Sequence, residues 1–215
     1  MSSVQIPTFN FCYQKYKKLF DWIAFFDFDE FLFINDSKTI NSYIYNIKFQ
    51  NCQSILFNWY FYYDNDLEKY DNRRILERFK RPKTIVGRVK TIIRGGIDNL
   101  LIVSSHIIGA NINYFCNSNG TRVFPQTFYD IAIPENNKVY IKHFYTKSAQ
   151  EFCYKIIKGD VQFHSKQPDY NNIMINKVHL FFTINKISMG KINILEECLN
   201  LDLIYFKNIL NQTRN

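Results

Sequence analysis

Apolar residues recur at helical spacing through the first twenty positions and then bunch into a short solid run. Phe9, Cys12, Tyr13, Tyr16, Leu19 and Phe20 fall on one 3.6-residue stripe, which predicts a helix entered at Pro7 with Thr8 as its N-cap. Trp22 to Phe26 is continuously apolar, the pattern of a strand buried on both faces. Asp36 is placed to cap a second helix carrying Ile40, Tyr43, Ile44 and Ile47. Ser54 to Tyr62, Ile85 to Ile93 and Leu100 to Ile108 read as further strands, and Asn119-Gly120 as a tight turn. Ser148-Ala-Gln-Glu151 is a capping box that opens a helix burying Phe152, Cys153, Ile156 and Ile157, with Gly159 at its C-cap. Ile194 to Leu210 predicts a last amphipathic helix.

Helices alternating with buried strands, with a strand-rich middle, predict one α/β domain built on a mixed sheet over residues 1–215. An apolar fraction of 47% excludes a disordered chain. The aromatic content of 18% accompanies many Asn, Ile and Lys residues, so aromatic runs carry compositional drift more than function. The five cysteines contain no CxxC pair, which argues against a structural zinc site and for reduced thiols in a cytoplasmic protein. No run of about 18 apolar residues predicts a membrane-spanning helix.

The chemistry concentrates where the first strand ends. Asp27-Phe28-Asp29-Glu30 places three acids in four residues. Strand alternation turns Asp27 and Asp29 to one face and Phe28 into the core. Two carboxylates so close repel unless a cation lies between them, and the end of a parallel strand is where α/β sheets place ligands. Hard oxygen donors with open positions suit Mg²⁺ or Mn²⁺, whose shells are completed by substrate phosphate oxygens.

The segment WIAFFDFDEFL, residues 22–32, resembles the W-[IV]-x-F-x-D-x-D-E-F-L core of glycosyltransferase family 92 and its bacterial and viral relatives. The likeness continues in order: a strand with Trp59, then ILERF at Ile75 to Phe79, VKTIIR at Val89 to Arg94, and His106 where the family has a histidine. HFYTKSAQEFCYKIIKGD at His143 to Asp160 is similar to its H-Y-x-x-K-S-x-x-E-F block, though here Phe144 intervenes before Tyr145. The resemblance covers residues 8–160 and leaves 161–215 as a C-terminal helical extension. It implies a GT-A-like fold, a nucleotide-sugar donor, a glycan or lipid-linked acceptor, and dependence on Mn²⁺ or Mg²⁺. Asp27 and Asp29 match the metal motif and His143 is carried over as a third ligand. Lys147 and His106 are carried over as contacts to the donor. An inverting transfer needs a base, and Glu30 and Glu77 are the carboxylates offered for it. The family also places two or three βα units before the helix near Thr8. The chain is expected to lack these units and the half of the donor site they supply.

The net charge of +8 is concentrated. Between Glu68 and Asp98 ten basic residues face four acidic ones, a local excess of +6. That excess points to an anionic partner, an acceptor or a peripheral membrane surface. Two rival readings stand beside the enzyme. An inactive or split fragment would act as an interaction protein, and a nucleic-acid module would use the cations and aromatics but leave the acidic triplet unexplained.

Overall fold

The computed structural model describes residues 4–35, 39–107, 109, 111–125, 127, 130–134, 138–158 and 170–212. The fold is α/β with a seven-stranded mixed sheet and accompanying helices, compatible with a GT-A-like architecture. Packing divides the chain into two units, Met1–Tyr60 with Thr84–His143, and Phe61–Lys83 with Phe144–Asn215.

The first unit opens with α1, Gln5–Tyr16. Strands β1 (Trp22–Ala24) and β2 (Glu30–Ile34) follow, then a short α2 (Ile40–Ile44). Strand β3 (Ser54–Tyr62) leads out of this unit and β4 (Pro82–Arg94) leads back. Strands β5 (Phe115–Asn117), β6 (Arg122–Val123) and β7 (Val139–His143) complete the sheet. The order is β1-β4-β3-β5-β6, with β7 also on β3 and β2 on β7. Only β3 with β5 is parallel among the pairings resolved in register; β1 with β4, β2 with β7 and β5 with β6 are antiparallel. Tyr13 fixes α1 to this unit. Its ring joins Ile93, Leu100, Ile102 and Ile112 in the core, and its hydroxyl donates to the Arg94 carbonyl while accepting from the Ile97 amide.

In the second unit, α4 (Ala149–Lys158), α5 (Tyr170–Ile184), α6 (Met189–Leu199) and α7 (Ile204–Gln212) surround a core that includes Phe152, Val178, Phe181 and Leu195, and a short α3 (Ile75–Arg78) precedes them. The capping box forms as its sequence requires: Ser148 Oγ accepts from the Glu151 amide, and the Glu151 carboxylate accepts from the Ser148 amide. The same carboxylate holds Arg78 at 2.7 Å. Among the described residues no helix is long and apolar enough to cross a membrane.

Several elements differ from the sequence expectation. Helix α1 starts three residues before Thr8, whose hydroxyl donates back to the Val4 carbonyl, so Thr8 is interior and caps nothing. Pro7 is tolerated in the first turn, where its missing N–H has no intrahelical partner to lose. Asp36 lies outside the described residues, and Thr39 caps α2 by accepting from the Ser42 amide. Gly159 also lies outside them. Residues 100–107 form no strand. Asn10 donates to the Ile102 carbonyl and accepts from its amide, and Asn111 accepts from the Leu101 amide, so side-chain amides take the place of a ladder. The last helix is two. Asn200 adopts a left-handed φ of 51°, and the Glu196 carboxylate accepts from the Leu203 amide to stop the first before α7 begins.

The cysteines are not all reduced. Cys52 pairs with Cys116 and Cys153 with Cys198, at Cα separations of 5.8 and 6.2 Å, leaving Cys12 free. Sequence spacing could not reveal this, because each bridge joins residues from distant elements.

Candidate active site at the acidic turn

Strand β1 ends at Ala24, and Asp27 to Glu30 form a tight turn in which the Glu30 amide donates to the Asp27 carbonyl at 3.0 Å. The Glu30 carboxylate accepts from the Asp27 amide at 3.0 Å, so the turn is closed twice. Alternation therefore stops before the acids. Phe28 occupies the tip and is fully exposed, at 104% of its reference area, instead of entering the core. Asp29 is nearly buried and Asp27 half exposed. The strand leading into the turn is antiparallel to its neighbour β4, with Trp22 opposite Arg94, so the site is not at the end of a parallel strand.

Lys90 on β4 governs the electrostatics of the turn. Its ammonium is completely buried and lies 2.8 Å from Asp27 Oδ2 and 3.3 Å from Glu30 Oε2. A buried cation held by two carboxylates stabilises both only while each stays close. Burial raises the Glu30 carboxyl to about 7, against the pull of Lys90 and the Asp27 amide, and Glu30 Oε1 accepts no hydrogen bond from the described residues. Gln5 of α1 donates to the other Asp27 oxygen at 3.4 Å. The signal for Lys90 was present in the sequence as a lone lysine inside the apolar strand VKTII.

The pairing of β2 with β7 places His143 directly opposite Glu30. His143 Nε2 lies 3.8 Å from Asp29 Oδ1, and its ring packs against Trp59 at 4.1 Å between centroids. Trp59 also meets the edge of His106, at 5.1 Å. His106 Nδ1 lies 3.2 Å from the Val89 carbonyl, and burial, with the nearby Lys90 charge, holds its imidazole below the usual histidine range. Trp59 thus links the two histidines that the sequence had set apart.

Of the expected ligands, Asp29 and His143 meet and Asp27 is engaged by Lys90. Among the described residues no group of three His, Cys, Asp or Glu side chains is gathered to hold an ion. The Asp29–His143 pair offers one oxygen and one nitrogen donor, types that divalent cations accept. Neighbouring ligands of Mg²⁺ lie about 3 Å apart, so the pair, at 3.8 Å, would have to draw closer around an ion, which takes few protein donors when phosphate oxygens fill its shell. Glu77 and Lys147 belong to the second unit. Glu77 is exposed on α3, and the adjacent Arg78 pairs with Glu151. Lys147 has φ of 55° immediately before the Ser148 cap.

The cations of the basic segment are partly neutralised within the fold. Arg73 pairs with Asp71, Arg81 with Asp66, Arg78 with Glu151, and Lys90 with the turn. Arg94 donates to the carbonyls of Cys52, Phe49 and Gln50.

The sequence profile of glycosyltransferase family 92 matches residues 3–180, which contain the whole acidic turn, Trp59, Lys90, His106 and His143. The chain belongs to glycosyltransferase family 92. No curated protein sequence matches it. Membership in family 92 gives glycosyl transfer as the general chemistry, with a nucleotide-sugar donor and a glycan acceptor as its general substrates. The match extends twenty residues past the likeness read from motifs, into α5 of the second unit.

Proposed function

We propose that this family 92 chain transfers a sugar from a nucleotide-sugar diphosphate to a glycan or lipid-linked acceptor, with Mn²⁺ or Mg²⁺ held by Asp29 and His143 beside Asp27. The observation that carries the reading is the Asp29 carboxylate facing the His143 imidazole at 3.8 Å within the family-matched segment. When bound, the cation supplies neutralising charge to the departing diphosphate. Asp29 and His143 would hold it, Asp29 from the twice-closed turn and His143 from β7, opposite Glu30. Lys90 holds Asp27 and Glu30 in place by direct ion pairs. Glu30, with a carboxyl raised to about 7, has the basicity suited to accepting the acceptor's proton near neutrality.

One observation favours the rival reading of a fold that binds without turnover: Asp27 is ion-paired with the buried Lys90 at 2.8 Å. The experiment is release of nucleoside diphosphate from a panel of nucleotide sugars, with Mn²⁺ or with EDTA, alongside Mn²⁺ titration by calorimetry. The enzymatic reading expects turnover that EDTA abolishes, and Asp29→Asn to lower Mn²⁺ affinity at least tenfold. Turnover unchanged by EDTA removes the metal, and absence of turnover across the panel favours the binding protein.

A further inference from the structure

The second half of α1 and the chain after it present apolar surface that is exposed among the described residues. Phe11, Leu19 and Phe20 are 66%, 71% and 57% exposed, and Tyr45 and Ile47 are 61% and 77% exposed. The two groups are neighbours, because the Tyr45 hydroxyl donates to the Asp21 carboxylate at 2.6 Å, one residue beyond Phe20. A cleft of about 230 Å³ opens at the same corner, lined by Trp22, Tyr45, Ile47 and Arg94 among others. Burying large apolar side chains is favourable by the area removed from water, so five left exposed at one corner mark a surface that meets something apolar.

The charge around the corner says what that is. Residues 4–20 contain Lys15, Lys17 and Lys18 and no acid. Lys15 lies over the rings of Phe11 and Tyr16, at 5.9 and 5.2 Å, and Arg94 lies over Trp22 at 4.4 Å. The nearby acids are Asp21, which accepts from Tyr45, and Asp98, which is 3.5 Å from Lys17. Aromatic and aliphatic groups interleaved with lysines match the boundary between anionic headgroups and acyl chains. A protein partner's apolar patch would not call for the adjoining lysines, and an acidic peptide would leave Leu19, Phe20 and Ile47 in water.

We propose that this corner of the first unit docks on an anionic lipid surface, with Leu19, Phe20 and Ile47 entering the interface and Lys15 and Lys18 meeting the headgroups. Apart from Arg94, the site differs from the 68–98 basic segment, in which Arg73, Arg78 and Arg81 are engaged by Asp71, Glu151 and Asp66. Docking here also suits a lipid-linked acceptor. Trp22 at the corner and Asp27 at the acidic turn are five residues apart, at most about 18 Å of extended chain.

The proposal does not depend on turnover or on metal, and its test uses neither. The full chain is sedimented with sucrose-loaded vesicles of phosphatidylcholine alone or with 30 mol% phosphatidylserine, taking that composition as roughly a strongly anionic leaflet. The expected result is binding to the anionic vesicles, weakened at least tenfold by L19S/F20S and also by K15Q/K18Q. An R73Q/R74Q control should bind as wild type. All these side chains are exposed, and circular dichroism with thermal melts confirms that each variant folds. Failure of wild type to sediment at 50 mM salt overturns the proposal, as does unchanged binding by both corner variants. A wild-type dimer in analytical ultracentrifugation that L19S/F20S converts to monomer, without vesicle binding, assigns the corner to a second copy and equally overturns it.

Discussion

Removing the bridge between Cys52 and Cys116 tests the largest departure from what the cysteine spacing implied. The two sulfurs close a loop with a sequence separation of 64, and both residues are buried in the first unit. In the chain-entropy account, a loop of roughly 65 residues withholds about 14 cal/mol/K from the unfolded ensemble, or about 4 kcal/mol at 25 °C. Cys52→Ala with Cys116→Ala should therefore lower the unfolding free energy by about 4 kcal/mol. With a urea slope of about 2–3 kcal/mol/M, the midpoint falls by about 1.3–2 M. Trp22 and Trp59 both lie in this unit, so their fluorescence follows its unfolding. A covalent readout runs beside it: protein purified without reductant, unfolded and alkylated, should be labelled at Cys12 alone. Labelling of all five cysteines, or a double variant within about 1 kcal/mol of wild type, refutes the reasoning.

Glu30 gives a pH signature. Its carboxyl stands at about 7 in the fold against 4.5 when free, so its contribution is whole below about pH 4.5 and lost as pH rises through 7. The loss by pH 8 is roughly 3 kcal/mol, taking about 1.4 kcal/mol per unit. Glu30→Gln removes this dependence, so in EDTA its stability relative to wild type should climb between pH 5 and pH 8; a constant difference refutes the burial argument. For the turn, Phe28→Ala should change stability by less than about 0.5 kcal/mol, whereas Ile55→Ala, fully buried on β3, should cost about 2–5 kcal/mol. Equal melting temperatures for the two variants would place Phe28 in the core after all.

What could be read from the sequence was whatever depends on near neighbours along the chain. The Ser148–Glu151 capping box and the β3 run from Ser54 to Tyr62 appear where the residues put them, because a cap or a buried strand is specified within a few positions. The α/β class and the family motifs were also legible, since both are ordered patterns along one dimension. The tertiary structure decided everything that required distant segments to meet. Strand alternation predicted an inward Phe28, but the Glu30 carboxylate and amide close a turn on Asp27 and push the ring into solvent. Residues 100–107 carry a strand's composition, yet Asn10, ninety-two positions from Ile102, satisfies its backbone and no ladder forms. Lys90 reaches Asp27 across sixty-three residues, and Cys52 reaches Cys116 across sixty-four. Such pairings are fixed by strand register and core packing, which no local pattern encodes, and they set the charge of the acidic turn and the covalent state of the thiols.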